Sequence, residues 1–337
     1  MGIGLTELQA AVTQEIFTEV PDSLQYSTAL WNHLSTKGKK KQDGGLYLQF
    51  PIKALANASQ GAIAGDSGLT DATPSQQMIY GVLYWKYNYF AVNLTLQDMN
   101  VAQGDNQKVE FAVEKAQGAK ADFFRFLSTQ SWGTSANNAL LLDGMLDILA
   151  SSGTSYGGIL NTTYDPLVNG SYSATNIKNV YSPLVYTDQV VSYAALTKMT
   201  TGLMARLQQG FEQTQELLGF CNDAVYSEIL NVTQSSQLLG DVAKANLGFK
   251  GFKLNGLCDV YLDVNSSGSG LGTADNYLTM FPEKALKFYY NYGLGSDSPI
   301  DGKMDIPGTV INSNRYFLTG NMVSPERRMF VVNKTFK

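Results

Sequence analysis

The chain has 337 residues, enough for about two ordinary domains, and its 44% hydrophobic content supplies a sizeable core. Charged residues make up only 16%, well below the typical soluble protein, so surface polarity rests on Ser, Thr, Asn, Gln and 32 glycines, while 19 tyrosines and 16 phenylalanines exclude a disordered chain. A net charge of −5 argues against a protein whose main task is gripping nucleic acid by phosphate neutralisation.

Leu5, Leu8, Val12 and Ile16 fall at helical spacing and predict a short amphipathic helix stopped by Pro21. Leu24, Tyr26, Leu30 and Trp31 follow, then Lys37-Gly38-Lys39-Lys40-Lys41, which reads as a solvated linker. Residues 46–52 predict a strand and residues 53–77 a small-residue loop. Met78 to Leu96 is one unbroken β-prone stretch, aromatic or apolar on both faces; fully extended it reaches roughly 60 Å. A strand of that length is expected to leave the body and to need a partner for its faces; a bent strand or two strands of a sandwich is the alternative. A long amphipathic helix is predicted from Asp105 or Asn106 to about residue 131, carrying Val109, Val113, Ala116, Phe123 and Leu127. A shorter helix is expected at 138–150, an irregular region at 153–183, and helices at 188–210 and 222–240. Strands are expected at 249–262, 277–281, 285–292, 316–323 and 329–335. The order predicts an α+β architecture with discontinuous layers.

Chemistry-bearing patterns are few. The single histidine, His33, with two scattered cysteines, Cys221 and Cys258, cannot form a zinc site of the usual kind, nor does it favour a hydrolytic triad. Two cysteines are too few for a disulfide framework, and residues 1–7 lack the features of a signal peptide. No run of 18 apolar residues is present to cross a membrane. Gly268–Gly272 matches neither the dinucleotide fingerprint nor the P-loop. Seven Asn-X-Ser/Thr sites follow from composition. The pairs Asp143/Asp147, Asp259/Asp263 and Asp301/Asp305 could serve acid–base work or hold a cation, although such spacings are common by chance. The tyrosines around Tyr84, Tyr87 and Tyr89 could stack bases or sugars, but with only Lys86 among them a core or subunit-interface role fits better. No cofactor is expected.

The order of elements resembles that of the major capsid proteins of tailed bacteriophages, the Hong Kong ninety-seven fold. Local phrases are similar too: Trp132-Gly133 with Leu142-Asp143-Gly144-Met145-Leu146, Tyr156-Gly157-Gly158-Ile159 with Tyr164-Asp165-Pro166-Leu167, Leu254 to Val260 before Asn276-Tyr277-Leu278, and Gly320 to Met329. Leu160-Asn161 and Leu167 depart from the pattern. The resemblance implies an N-terminal arm (1–43), an extended β-hairpin loop (44–101), a peripheral domain with a spine helix (102–150), an axial domain (151–310) and return strands of the peripheral domain (311–337).

It further implies a non-enzymatic protein that self-assembles as pentamers and hexamers into an icosahedral shell around double-stranded DNA, without sequence-specific binding. Its place would be the virion, assembled in the host bacterial cytoplasm. A separate scaffold protein, a portal and decoration proteins are the expected partners. Tyr80, Tyr84, Trp85, Tyr87, Tyr89 and Phe90 of the extended loop, with Leu5, Leu8, Val12 and Trp31 of the arm, are the expected inter-subunit contacts. Residues 52–77 contain only Lys53, so no covalent lysine cross-link at the loop tip is expected. An encapsulin-like compartment is the near alternative. A carboxylate-dependent hydrolase or carbohydrate-binding protein is the alternative from another class, and requires a cleft where two carboxylates and aromatics converge.

Overall fold

A computed structural model describes residues 29–42, 44–53, 78–95, 105–136, 138–150, 155–160, 183–208, 217–237, 252–254, 258–266, 276–292, 302–303 and 311–336. The helix expected around Leu5–Ile16, the 54–77 loop and the Gly268–Gly272 segment lie outside them. The chain enters through helix α1 (Ala29–Thr36), which buries Leu30, Trp31 and Leu34. The lysine run that follows is strand β1 (Lys39–Lys41), parallel to residues 288–290, rather than a linker. All three lysines stay exposed because β1 lies at an edge, where charge discourages stray strand pairing.

Strand β2 (Tyr47–Lys53) pairs antiparallel with β3 (Met78–Tyr84), and β4 (Lys86–Thr95) follows directly. The stretch expected to be one strand therefore divides at Trp85, and its second half runs inside a body sheet. Helix α2 (Asp105–Trp132) matches the predicted long helix, whereas the 138–150 segment narrows to one turn, α3 (Met145–Ile148). A small hairpin, β5 (Ser155–Tyr156) and β6 (Ile159–Leu160), comes next, then β7 (Leu184–Tyr186) and helix α4 (Tyr193–Gln208). Sequence reasoning missed the five-residue, wholly buried β8 (Leu217–Cys221), which precedes helix α5 (Asp223–Gln237). The remainder is β9 (Phe252–Leu254), β10 (Cys258–Leu262), β11 (Asn276–Pro282), β12 (Lys287–Tyr292), β13 (Gly302–Lys303), β14 (Ile311–Val323) and β15 (Val331–Phe336).

Two large sheets result. In the first, β14 is central: β4 lies along one side over ten residue pairs, and β12 and β13 share the other. Helix α2 covers it, with Phe90 stacked on Tyr316 at 4.8 Å and meeting Phe123 at 5.2 Å. The second has the order β7-β15-β11-β8-β10-β9 and carries α4, whose Leu196, Met199, Leu203 and Leu207 form its buried stripe. The tail expected as one set of return strands is divided, β14 joining the first sheet and β15 the second.

Buried polar contacts lock distant segments together. Asp263, fully buried, accepts the Leu30 amide at 2.9 Å and so caps α1 from the far end of the chain. Burial pushes its carboxyl above the ordinary range, against the lowering effect of the amide bonds. Arg327, also fully buried, donates Nε to the Ile148 carbonyl (2.7 Å) and Nη2 to the Asp147 and Ala150 carbonyls. It thereby satisfies the open end of α3 and lies 5.2 Å over the Tyr156 ring.

Candidate assembly surface

The β2–β3 register fixes which side chains share a face: Tyr47 opposes Tyr84, Gln49 opposes Val82, and Pro51 opposes Tyr80. On this face Tyr80 is 61% and Tyr84 67% exposed, with Met78 also open to solvent. The opposite face, Leu48, Phe50, Ile52 and Leu83, is buried. On β4 the exposed aromatics are Tyr87 (71%) and Tyr89 (60%), the latter 6.1 Å from Phe317 across the pair with β14. Even-numbered positions thus face outward before Trp85 and odd-numbered ones after it. The reversal turns Trp85 and Lys86 inward in succession, whereas a single strand with one face open to solvent would turn one of them out.

Four of the predicted contact residues, Tyr80, Tyr84, Tyr87 and Tyr89, therefore sit on accessible faces. Three others are corrected: Trp31, Trp85 and Phe90 are spent on the chain's own core, at 4%, 6% and 6% exposure. Trp31 meets Phe288 edge-on at 5.2 Å, Trp85 donates Nε1–H to the Gly45 carbonyl, and Phe90 packs under α2. Leu5, Leu8 and Val12 lie outside the described residues. Tyr47 and Met78 join the exposed face and were not singled out in the sequence; their sharing of it follows from strand register.

The root of the hairpin is held in two ways. The Phe50 ring lies where any side chain on Gly81 would be, within 2.4 Å of a Cβ built there, and also crowds Gly157, whose φ of +61° favours glycine. Beyond it, the buried Lys86 ammonium donates to the Ala139 carbonyl at 2.7 Å and pairs with Asp143 at 3.6 Å. Asn321 completes this node by donating to Asp143 Oδ2 and to the Tyr84 carbonyl, and by accepting the Asp143 amide.

The acidic pairs find structural employment. A cavity of about 280 Å³ is lined by Asp143 and Asp147 together with Tyr84 and Tyr156, the convergence that a carboxylate enzyme requires. Both carboxylates are occupied there, however: Asp143 by Lys86 and Asn321, Asp147 by the Thr134 hydroxyl and the Ser135 amide. Asp259 lies in β10 and Asp263 caps α1; Asp301 and Asp305 lie outside the described residues. No group of three metal-ligating side chains occurs among the described residues. Burial lowers the His33 pKa, Lys37 adds to that effect, and Glu283 opposes it. Both cysteines are free and buried, and their thiols are pushed upward by burial, away from reactivity. No helix among the described residues is long and apolar enough to cross a membrane.

No family model matches the sequence, and no curated protein matches it. Solved structures do match the fold. The capsid asymmetric unit of cyanophage A-1(L) is similar at a TM-score of 0.62 and 12% identity, covering 92% of this chain and 93% of that one. The capsid of the empty GTA particle gives 0.57 at 8% identity, over 92% and 96% of the two chains. The holo-SrpI encapsulin complex from Synechococcus elongatus PCC 7942 gives 0.54 at 7% identity, over 95% and 91%. Over nine-tenths of its length, this α+β chain has the Hong Kong ninety-seven fold of phage capsid proteins.

Proposed function

We propose that the chain is a major capsid protein, a non-enzymatic subunit that self-assembles into the closed shell of a bacteriophage virion. The observation that carries this reading is the fold match along nearly the whole chain. The exposed tyrosine face at the hairpin root and on β4 supports it. Tyr80, Tyr84, Tyr87 and Tyr89 are the proposed contacts to neighbouring copies, since buried tyrosine contributes large area with a polar tip that tolerates water before assembly. Pentamers and hexamers enclosing double-stranded DNA, a separate scaffold, a portal and decoration proteins complete the proposal, as does assembly in the bacterial cytoplasm. The proposed subunit follows the chain order of arm, extended loop, peripheral domain and axial domain, with no covalent lysine cross-link between copies.

Negative-stain microscopy and light scattering of the purified protein, with and without co-expressed neighbouring phage genes, test the shell. Closed particles, or rings of five and six, are the expected result. A stable monomer under every condition refutes it. The encapsulin likeness supports a second reading, a compartment that stores protein; particles co-purifying with a protein cargo instead of nuclease-protected DNA would favour it. Boiling the particles in detergent should yield monomer, and a ladder of covalent oligomers would refute the absence of cross-links.

A further inference from the structure

Helix α1 crosses the place where the two large sheets meet. The turn Glu283–Ala285 joins β11 of the second sheet to β12 of the first, and α1 is tied to both sides of that join. Its first turn is held by the second sheet, where Asp263, directly after β10, accepts the Leu30 amide at 2.9 Å. Trp31 packs edge-on against Phe288 of β12 at 5.2 Å. Past the helix, the Gly38 carbonyl accepts the Phe288 amide at 2.9 Å, and β1 continues along β12. The His33 carbonyl closes the helix by accepting the Lys37 and Gly38 amides, each at 3.0 Å.

His33 is the one ionisable side chain of α1 and the one histidine of the sequence. Its Nε2 is buried and, among the described residues, has no hydrogen-bond partner. A neutral ring leaves that nitrogen as an idle acceptor at small cost. An imidazolium carries a proton there and needs an acceptor that the site does not offer. Two charges face the ring. Lys37, one turn further along, repels a cation; Glu283, in the turn Glu283–Ala285, attracts one but is already paired with Lys37 at 3.5 Å. Helix α2 and strands β1 and β12 also pack on α1, and among the described residues no charge on them acts on the ring. Burial outweighs the rest and holds the ring's pKa below the ordinary 6.5. The folded state therefore binds fewer protons than the unfolded state just below that value, and acid costs stability there. Asp263, at the opposite end of α1, has the other sign: burial raises its carboxyl, so acid favours its folded form.

We propose that α1 is an acid-released strap across the junction of the two sheets, with His33 as its trigger. Protonation puts a charge where the fold accommodates only a neutral ring; the last turn of α1 lifts, and Phe288 and the Glu283–Ala285 turn are uncovered. The device belongs to the single subunit and does not depend on the shell reading. The test uses the full chain in its unassembled form. With isotope-labelled histidine the protein gives one imidazole signal, whose NMR titration should have its midpoint below 6.5. A midpoint at or above 6.5 overturns the proposal. Hydrogen exchange read by mass spectrometry at about pH 5 and about pH 7.5, corrected for the intrinsic effect of pH, should show residues 30–38 losing protection in acid while α2 and β11 keep theirs. His33→Gln, uncharged at both values, should retain that protection in acid. Equal protection of α1 at the two values overturns the strap, as does a loss shared by α2 and β11, which is acid unfolding of the whole subunit. An acid loss that persists in His33→Gln would remove His33 as the trigger. If the variant does not fold, the wild-type titration and exchange decide the matter by themselves.

Discussion

The node beneath the hairpin gives the most exacting test of the fold. Asp143→Asn keeps the side chain's shape and its capacity to accept from Asn321, but leaves the Lys86 ammonium without its counter-charge. Removing one member of a fully buried pair costs about 3–5 kcal/mol. Here both side chains retain 10% exposure, so the expected loss is lower, about 2–4 kcal/mol out of a total of about 5–15. Adding Lys86→Met removes the stranded cation and should restore all but about 1 kcal/mol, the loss traceable to the bond with the Ala139 carbonyl. Guanidinium unfolding of the unassembled subunit, followed by fluorescence of the buried Trp31, Trp85 and Trp132, measures all four corners of the cycle. A single-variant loss below about 1 kcal/mol would refute the claim that this ion pair holds the hairpin root, as would a double variant no more stable than Asp143→Asn.

Other perturbations separate stability from assembly. Gly81→Ala drives a methyl into the Phe50 ring and should destabilise the subunit by about 1–3 kcal/mol, measured by the same unfolding assay. Replacing Tyr80, Tyr84, Tyr87 and Tyr89 with Ser should leave the melting temperature within a few degrees while reducing particle yield by light scattering; Phe90→Ala should instead cost about 3–5 kcal/mol in the isolated subunit. Burial lowers the Lys120 pKa from 10.5 to about 8. The folded state therefore binds fewer protons than the unfolded state between those values, so this group's contribution makes stability rise with pH from about 8 to 10.5. Lys120→Met should flatten that portion of a stability–pH curve, and an unchanged slope would refute the assignment.

Long periodic segments were legible from the sequence because their signal is local. Helix α2 and the Leu196–Leu207 stripe of α4 follow from spacing alone. Strand β8 was missed because Leu217 to Cys221 is buried on every side and so shows no alternation that marks a strand. The lysine run was misread for the converse reason: its strand conformation comes from hydrogen bonds to β12, some 250 residues away, and not from its own residues. The candidate surface was legible as a collection of aromatics but not as a face. Tyr80 and Tyr84 differ from Trp85 and Phe90 in exposure only through the register with β2 and β14, which no local pattern records.

The reversal at Trp85 explains how so many aromatics serve two ends. If the alternation of β3 continued unchanged, Tyr87 and Tyr89 would face inward with Trp85, and the buried row Lys86, Asn88 and Phe90 would turn to solvent. Exposing Phe90 would forfeit its contacts with Tyr316 and Phe123, and exposing Lys86 would dissolve the node that ties β4 to Asp143 and Asn321. The one-residue shift avoids both losses and leaves tyrosines outward on either side of the break. Phenylalanine at those positions would promote unselective association before assembly, and charged residues would resist the desolvation that assembly demands. A 16% charged, tyrosine-rich composition is therefore what this backbone requires if its outward faces are to stay soluble alone and be covered by copies of itself.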